Sequence, residues 1–483
     1  MIKVKLTMFL WFWLLIPSVF GQDLDRASLQ RFLEDPAIRS ASVSLIFYEE
    51  ETGKVLLDHN ADVNLIPASS HKLLVTSTIL ATLGADYRYQ TYLEYTGSIN
   101  ADGVLDGNLI IRGGGDPSLG SDVAGALSLQ ALDHLLVGVI ERAGIKKISG
   151  SVLVDPQYFS GSVIPSSWSK SDVGNYYGAG TWGFNIHQNL YYLDFLQKAK
   201  GQRPSIQGTR PVIDGLTFTN QLSCAGANSG DNAYIYGGPG EWDKLIKGTI
   251  PSGSGIFTIK GSIPDPASFY AKHFCGQLNQ AGIAVDVGEG VLNYDIPSSD
   301  KTLLYVHQSP TLAHLVEYAN LESDNMFCET FLMTLGKLEA GSGSRAEGVQ
   351  YLRTYFSEHG YQTSFNMEDG SGLSRANRIS AGLLADVLYA ALTNESTGAW
   401  FYQTLPQTGV RGTLSKVFKD TPDAMRLTAK TGSMRGIRSL TGHFYTKNEK
   451  PIVFSIIIND YKGSGYAVWK KMESFLTNLY IKS

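Results

Sequence analysis

Three short clusters in the 483-residue chain carry side chains that can do chemistry together. The first is Ser69-Ser70-His71-Lys72, preceded by Pro67-Ala68 and opening a helical pattern. One turn separates Ser69 from Lys72, so the two side chains share a face. Free N–H groups and the dipole at a helix start favour a developing anion. A partly desolvated lysine there can take the proton that a serine hydroxyl does not lose at neutral pH. The second cluster is Ser323-Asp324-Asn325, between two helical segments. Ser323 and Asn325 can face one cleft while Asp324 points elsewhere. That suits a proton relay between Lys72 and a leaving amine, and an amide that orients a substrate amide. The third is Lys430-Thr431-Gly432-Ser433, in a strand pattern. Alternation puts Lys430 and Gly432 on one side and Thr431 and Ser433 on the other. The hydroxyls suit a substrate carboxylate, Lys430 adds positive charge, and Gly432 allows a ligand close to the backbone. Singly, each cluster reads more plainly as an N-cap serine with a surface lysine, a polar interhelical turn, and a strand end.

The elements that must position these clusters fall into three zones. Residues 41–83 hold a strand pattern, SVSLIFYEEETGKVLLDHN, with a hairpin turn at Thr52-Gly53, and then the helical HKLLVTSTILATLG. Residues 92–304 are rich in Gly, Ser and Asn, with short strand-like runs such as NLIIRGGG, ISGSVLVD, GLTFTN and IFTIKGSI. From Pro310 the helical period returns in TLAHLVEYANLE and NMFCETFLMTLGKL. Two strands, SLTGHFYT and PIVFSIIIND, and a last helix from Tyr466 follow. A helix-plus-sheet unit is thus split between the two ends, with β-rich material inserted.

Lys3 and Lys5, the apolar run from Leu6 to Ile16, Pro17, Ser18 and Gly21 have the order of a secretory signal peptide. Cleavage is expected after Gly21, leaving Gln22 first and an exported protein. Residues 22–483 then carry 38 basic against 45 acidic side chains, which gives no reason to bind nucleic acid. Cys224, Cys275 and Cys328 make a poor disulfide framework. A Cys224–Cys275 bridge stays open, and Cys328 reads as a buried thiol. His71 lies two residues past Ser69, so the side chains diverge by about 160° and His71 is expected to pack. His314 and Glu317 lack a His-Glu-x-x-His frame, and no metal is implied. The last helix is expected to pack on the sheet, with membrane contact at most peripheral.

In this order, Ser-x-x-Lys, Ser-Asp-Asn and Lys-Thr-Gly resemble the signature set of penicillin-binding proteins and class A β-lactamases. Between Ser69 and Ser323 lie 253 residues, far more than such β-lactamases hold there. Further segments are Gly115-Asp116-Pro117-Ser118-Leu119, the run from Asp369 to Arg375 (DGSGLSR), and Leu405-Pro406 with Gly409 and Gly412-Thr413-Leu414. With these the chain resembles the penicillin-binding protein 4 type D-alanyl-D-alanine carboxypeptidase/endopeptidases of peptidase family S13.

That resemblance implies an α+β fold, a transpeptidase-like domain of helices on an antiparallel sheet, interrupted by β-rich domains. The expected division is a signal peptide over 1–21, domain I over 22–91 and 305–483, domain II over 92–116 and 205–304, and domain III over 117–204. It implies Ser69 as nucleophile, Lys72 as base, Ser323 and Asn325 as relay and positioner, and Lys430, Thr431, Gly432 and Ser433 around the carboxylate. The Ser69 and Ser433 N–H groups would form the oxyanion hole. Arg375, Met434 and Asp172 resemble positions that receive a diaminopimelate-type side chain, although Asp172 also reads as a loop or N-cap aspartate. The implied partners are peptidoglycan stem peptides and cross-links, with β-lactams as covalent inhibitors, in the periplasm and without a cofactor. The alternatives are a β-lactamase and a non-catalytic wall-binding or sensor protein. Between Ser323 and Lys430 no Glu is followed four residues later by Asn, as the deacylating motif of class A β-lactamases requires. A penicilloyl adduct is therefore expected to persist.

Overall fold

The computed structural model describes residues 26–293 and 296–482. The expected signal peptide lies outside them. The two ends of the chain meet in one antiparallel sheet, ordered Thr428–Met434, Ile437–Tyr445, Pro451–Asn459, Ser42–Glu49, Val55–His59. The hairpin at Thr52-Gly53 joins the last two, with Gly53 at φ +66°. The central strand Pro451–Asn459 is apolar on both faces because helices cover both. Val453 and Ile457 pack with helices Lys72–Leu83, Leu312–Glu322, Asn325–Ala340 and Ala381–Thr393. Ile452, Phe454, Ile456 and Ile458 face the opposite layer, helices Arg26–Glu34 and Gly465–Lys482. There Phe475 stacks on Phe32 at 4.5 Å, so the last helix packs on the sheet as its period predicts.

The inserted segment leaves and returns on paired strands, Gln90–Tyr95 against Thr302–Gln308. They belong to a five-stranded sheet with Leu109–Arg112, Ser151–Asp155 and Gly288–Val291. Leu109–Arg112 and Ser151–Asp155 pair parallel, which requires a crossover, and helix Leu129–Arg142 supplies it. Helix Pro266–Gln280 packs on Ser151–Asp155 and Gly288–Val291, so helices accompany the strands of this β-rich part. Farther along, Leu190–Leu196 pairs with Ser205–Arg210 and Ile256–Ser262, beside a sheet of Thr217–Ala225, Asp243–Pro251 and Asn232–Tyr236.

These pairings cross the expected cuts at 116/117 and 204/205. The Gly- and Ser-rich texture shows where strands are, but a partner 40 residues away across a helix leaves no local mark. Cys224 and Cys275 are free and buried, and Cys328 is a buried thiol. Among the described residues no helix is long and apolar enough to cross a membrane.

Candidate active site

The nucleophile cluster is a tight turn before it is a helix. Residues Ala68–His71 form a 3₁₀ turn, with Ala68 at φ +45°, and run directly into helix Lys72–Leu83. This turn presses against strand Thr428–Met434. A Cβ at position 432 would lie 2.1 Å from Ser439 Oγ, 2.7 Å from Pro67 O and 3.0 Å from Ser69 N. Gly432 therefore makes room for the nucleophile turn itself. Ser439 Oγ donates to Pro67 O. Ser70 Oγ lies 2.8 Å from Ser439 Oγ and 3.2 Å from Lys430 O. Two small hydroxyls thus fasten the turn to the sheet.

Lys72 is fully buried, and its Nζ donates to Ser69 Oγ at 2.8 Å, Asn325 Oδ1 at 2.7 Å and Ser371 O at 2.6 Å. Burial pushes its pKa below the ordinary 10.5, outweighing nearby acidic groups such as Cys328 and Asp369. Two of the three partners are carbonyl oxygens, which only accept. A neutral amine keeps two N–H bonds for them and has one lone pair left, which must face Ser69 Oγ.

Asn325 is itself held, because its Nδ2 donates to Tyr177 O at 2.6 Å. Ser323 ends helix Leu312–Glu322 in the left-handed region, φ 58°, and its Oγ accepts from Lys430 Nζ at 2.7 Å. Burial, reinforced by repulsion from Lys72, holds Lys430 well below its ordinary pKa. Asp324 faces away, capping Phe327 N at 3.0 Å and accepting from Gln188 at 3.3 Å. Thr431 Oγ1 donates to Thr413 Oγ1 at 2.9 Å, while Ser433, two residues on, is exposed. At the rim, Arg375 donates to Arg435 O at 2.9 Å, beside Met434. Burial raises the Asp172 pKa, with Tyr177 OH donating to it at 3.3 Å and Arg375 within electrostatic range.

Sequence reasoning missed the residues behind these. Glu329, fully buried, accepts the N–H groups of Gly370 and Ser371 at 2.9 and 2.8 Å, and Arg345 Nε at 2.7 Å. It thereby fixes the Ser371 carbonyl that Lys72 uses. Arg345 donates onward to Ser162 O and Val163 O of the inserted segment. Asp369 accepts from Gly372 N, Ser374 N, Asn377 Nδ2 and Trp168 Nε1. The fully buried His71 donates from Nε2 to Asp369 O at 2.8 Å, and burial pushes its pKa down to about 4. It packs, as its angle from Ser69 predicts. Asp369 was visible only as part of a motif, and Glu329 and Arg345 carried no signal beyond charge in a helical pattern.

Ser69, with the buried Lys72 beside it, lies at the junction of the antiparallel sheet and the helical layer. The chain matches the D-Ala-D-Ala carboxypeptidase 3 (S13) family over residues 25–479, and it belongs to that family. It is 25% identical over 452 residues to a D-alanyl-D-alanine carboxypeptidase of an Actinomadura species, covering 91% of this chain and 81% of that protein. A D-alanyl-D-alanine carboxypeptidase of Haemophilus influenzae is 24% identical over 437 residues, covering 87% of this chain and 86% of the relative. The crystal structure of penicillin binding protein 4 from Haemophilus influenzae shares the fold with a TM-score of 0.79 at 23% identity, covering 95% of this chain and 99% of that one.

Proposed function

We propose that this chain is an exported serine-type D-alanyl-D-alanine carboxypeptidase and endopeptidase that acts on peptidoglycan peptides through an acyl-enzyme. The observation that carries this reading is the contact set of Lys72, which leaves its lone pair only Ser69 Oγ to face. Ser69 Oγ attacks the penultimate D-alanyl carbonyl while its proton passes to Lys72 Nζ. The C–N bond breaks, and the leaving amine takes a proton relayed from Lys72 through Ser323, which Lys430 holds. Water then attacks the ester and Ser69 regains its proton. Thr431, Ser433 and Lys430 hold the terminal carboxylate beside Gly432, and Asn325 orients the peptide amide. Arg375, Met434 and Asp172 receive the side chain of the residue before D-alanine.

Family membership and the carboxypeptidase names of two relatives support the reaction. A Bdellovibrio bacteriovorus predatory endopeptidase of similar fold, TM-score 0.51 at 17% identity, was crystallised acylated by penicillin G, which supports β-lactams as covalent inhibitors here too. The periplasm is the compartment that the N-terminal segment and this substrate favour.

Intact-mass analysis with benzylpenicillin over time, beside Ser69→Ala, tests the reading. One lasting adduct, lost in the variant, is expected. Rapid penicillin loss without an adduct would make the protein a β-lactamase instead, and neither adduct nor hydrolysis would remove the acyl-enzyme altogether.

A further inference from the structure

Beside the cleft stands a group of exposed rings that the hydrolytic scheme does not use. Tyr176 is 49% exposed and Tyr234 45%. Both are seated by one buried residue, Asn175. Its Nδ2 donates to Ser171 O at 2.7 Å and Ile235 O at 3.4 Å, its Oδ1 accepts from Ile235 N at 3.0 Å, and its main chain bridges to Gly261. The clamp holds the main chain at Tyr176 against the two strands that carry Tyr234, next to Ile235, and Lys260, next to Gly261. The Lys260 ammonium stands over the rings of Tyr176 at 5.4 Å and Tyr192 at 5.3 Å, within electrostatic range of Asp324. Asp231 is within electrostatic range of the Tyr176 hydroxyl. Exposed rings on a held backbone, with an ammonium and a carboxylate close by, are the make-up of a ligand surface.

We propose that Tyr176, Tyr234 and Lys260 form a platform for the sugar rings of the glycan strand that carries the stem peptide. This rests on the proposed peptidoglycan substrate. A pyranose offers an apolar C–H face that suits a flat aromatic ring, and edge hydroxyls that suit Lys260 and Asp231. Position argues for the same occupant. Tyr177, next to Tyr176, reaches Ser69 through the hydrogen bonds of Asn325 and Lys72. That chain limits the Tyr177 O to Ser69 Oγ separation to about 10 Å. Four extended peptide residues span roughly 13 Å, so a sugar tethered to an acylating tetrapeptide arrives at the distance of these rings.

The test compares a free pentapeptide with the same peptide on its disaccharide. Tyr176→Ala and Tyr234→Ala are expected to lower kcat/KM about 5- to 10-fold on the disaccharide substrate only. Tyr176→Trp is expected to retain activity, since stacking is kept. Equal loss on both substrates would make the rings part of the peptide subsite, and no loss on either would leave the surface without a role; both overturn the proposal. If the wild type cleaves neither substrate, the proposed function fails by itself. Calorimetric binding of the peptide-free disaccharide to Ser69→Ala, with and without Tyr176→Ala, then still decides the platform: ring-dependent binding supports it, and ring-independent or absent binding sinks it.

Discussion

On the sheet side of the cleft, side chains do the holding. Ser70 and Ser439 fasten the nucleophile turn, and Lys430 reaches across to Ser323. On the side contributed by the inserted segment, main-chain carbonyls share the work with the Trp168 indole and the Gln188 amide. Tyr177 O takes Asn325, while Ser162 O and Val163 O take Arg345. A wall built of carbonyls depends on backbone path and tolerates varied side chains, whereas a wall of packed hydroxyls and a glycine tolerates almost none. The two walls are tied together through Glu329 and Arg345, so the strongest way to sharpen the contrast is to cut that tie.

Glu329→Ala should have the largest effect. It leaves the Arg345 guanidinium, which is largely buried, without its carboxylate and the Gly370 and Ser371 N–H groups without an acceptor. Breaking one partner out of a buried pair costs about 3–5 kcal/mol. Urea unfolding should show that loss, and penicillin acylation of the folded fraction should slow as well, since the Ser371 carbonyl loses its anchor. A loss under 1 kcal/mol would mean that the carbonyl wall stands without Arg345.

Gly432→Ala probes the other wall. The added methyl meets Ser439 Oγ, Pro67 O and Ser69 N, and the atom that can yield most easily is the nucleophile turn. Overpacking of this kind costs roughly 1–3 kcal/mol, and a shift of about 1 Å at the attacking atom costs on the order of 10²-fold in rate. Stopped-flow acylation by benzylpenicillin measures it. An unchanged rate in a folded variant would mean that the nucleophile turn does not depend on the missing Cβ.

How much of this was legible beforehand follows the same division. Ser69 with Lys72, and Ser323 with Asn325, could be read because their chemistry lies in side chains at short spacing. The split helix-plus-sheet unit could be read because periods of 3.6 and 2 survive in each half. The contribution of Tyr177, Ser162 and Val163 could not, since a carbonyl oxygen belongs to every residue type. Glu329 and Arg345 lie 16 positions apart on separate helices, and nothing local links them. Strand partners within the insertion are hidden for a related reason: parallel strands such as Leu109–Arg112 and Ser151–Asp155 find each other across a helix, not across a turn.

Two buried aspartates extend the comparison to pH. Asp369, on the catalytic side, has donors on both oxygens. Asp116, in the inserted segment, accepts from Ser118 N and Ser118 Oγ on Oδ1, while Oδ2 has no partner among the described residues. Burial outweighs those two hydrogen bonds and raises its pKa from 3.8 to about 6. A carboxyl whose folded pKa is raised binds its proton more tightly in the folded state. Its contribution to stability is therefore full below pH 4 and declines as pH rises from about 4 to 6. Above that window the ionised group is a standing cost. Asp116→Asn cannot ionise and keeps an oxygen for Ser118, so it should stabilise the protein at pH 8 by about 3 kcal/mol and gain nothing at pH 4. Urea midpoints of both proteins at the two pH values measure the difference. An equal shift at pH 4 and pH 8 would mean that packing, not charge, governs this position, and that Asp116 is as well provided for as Asp369.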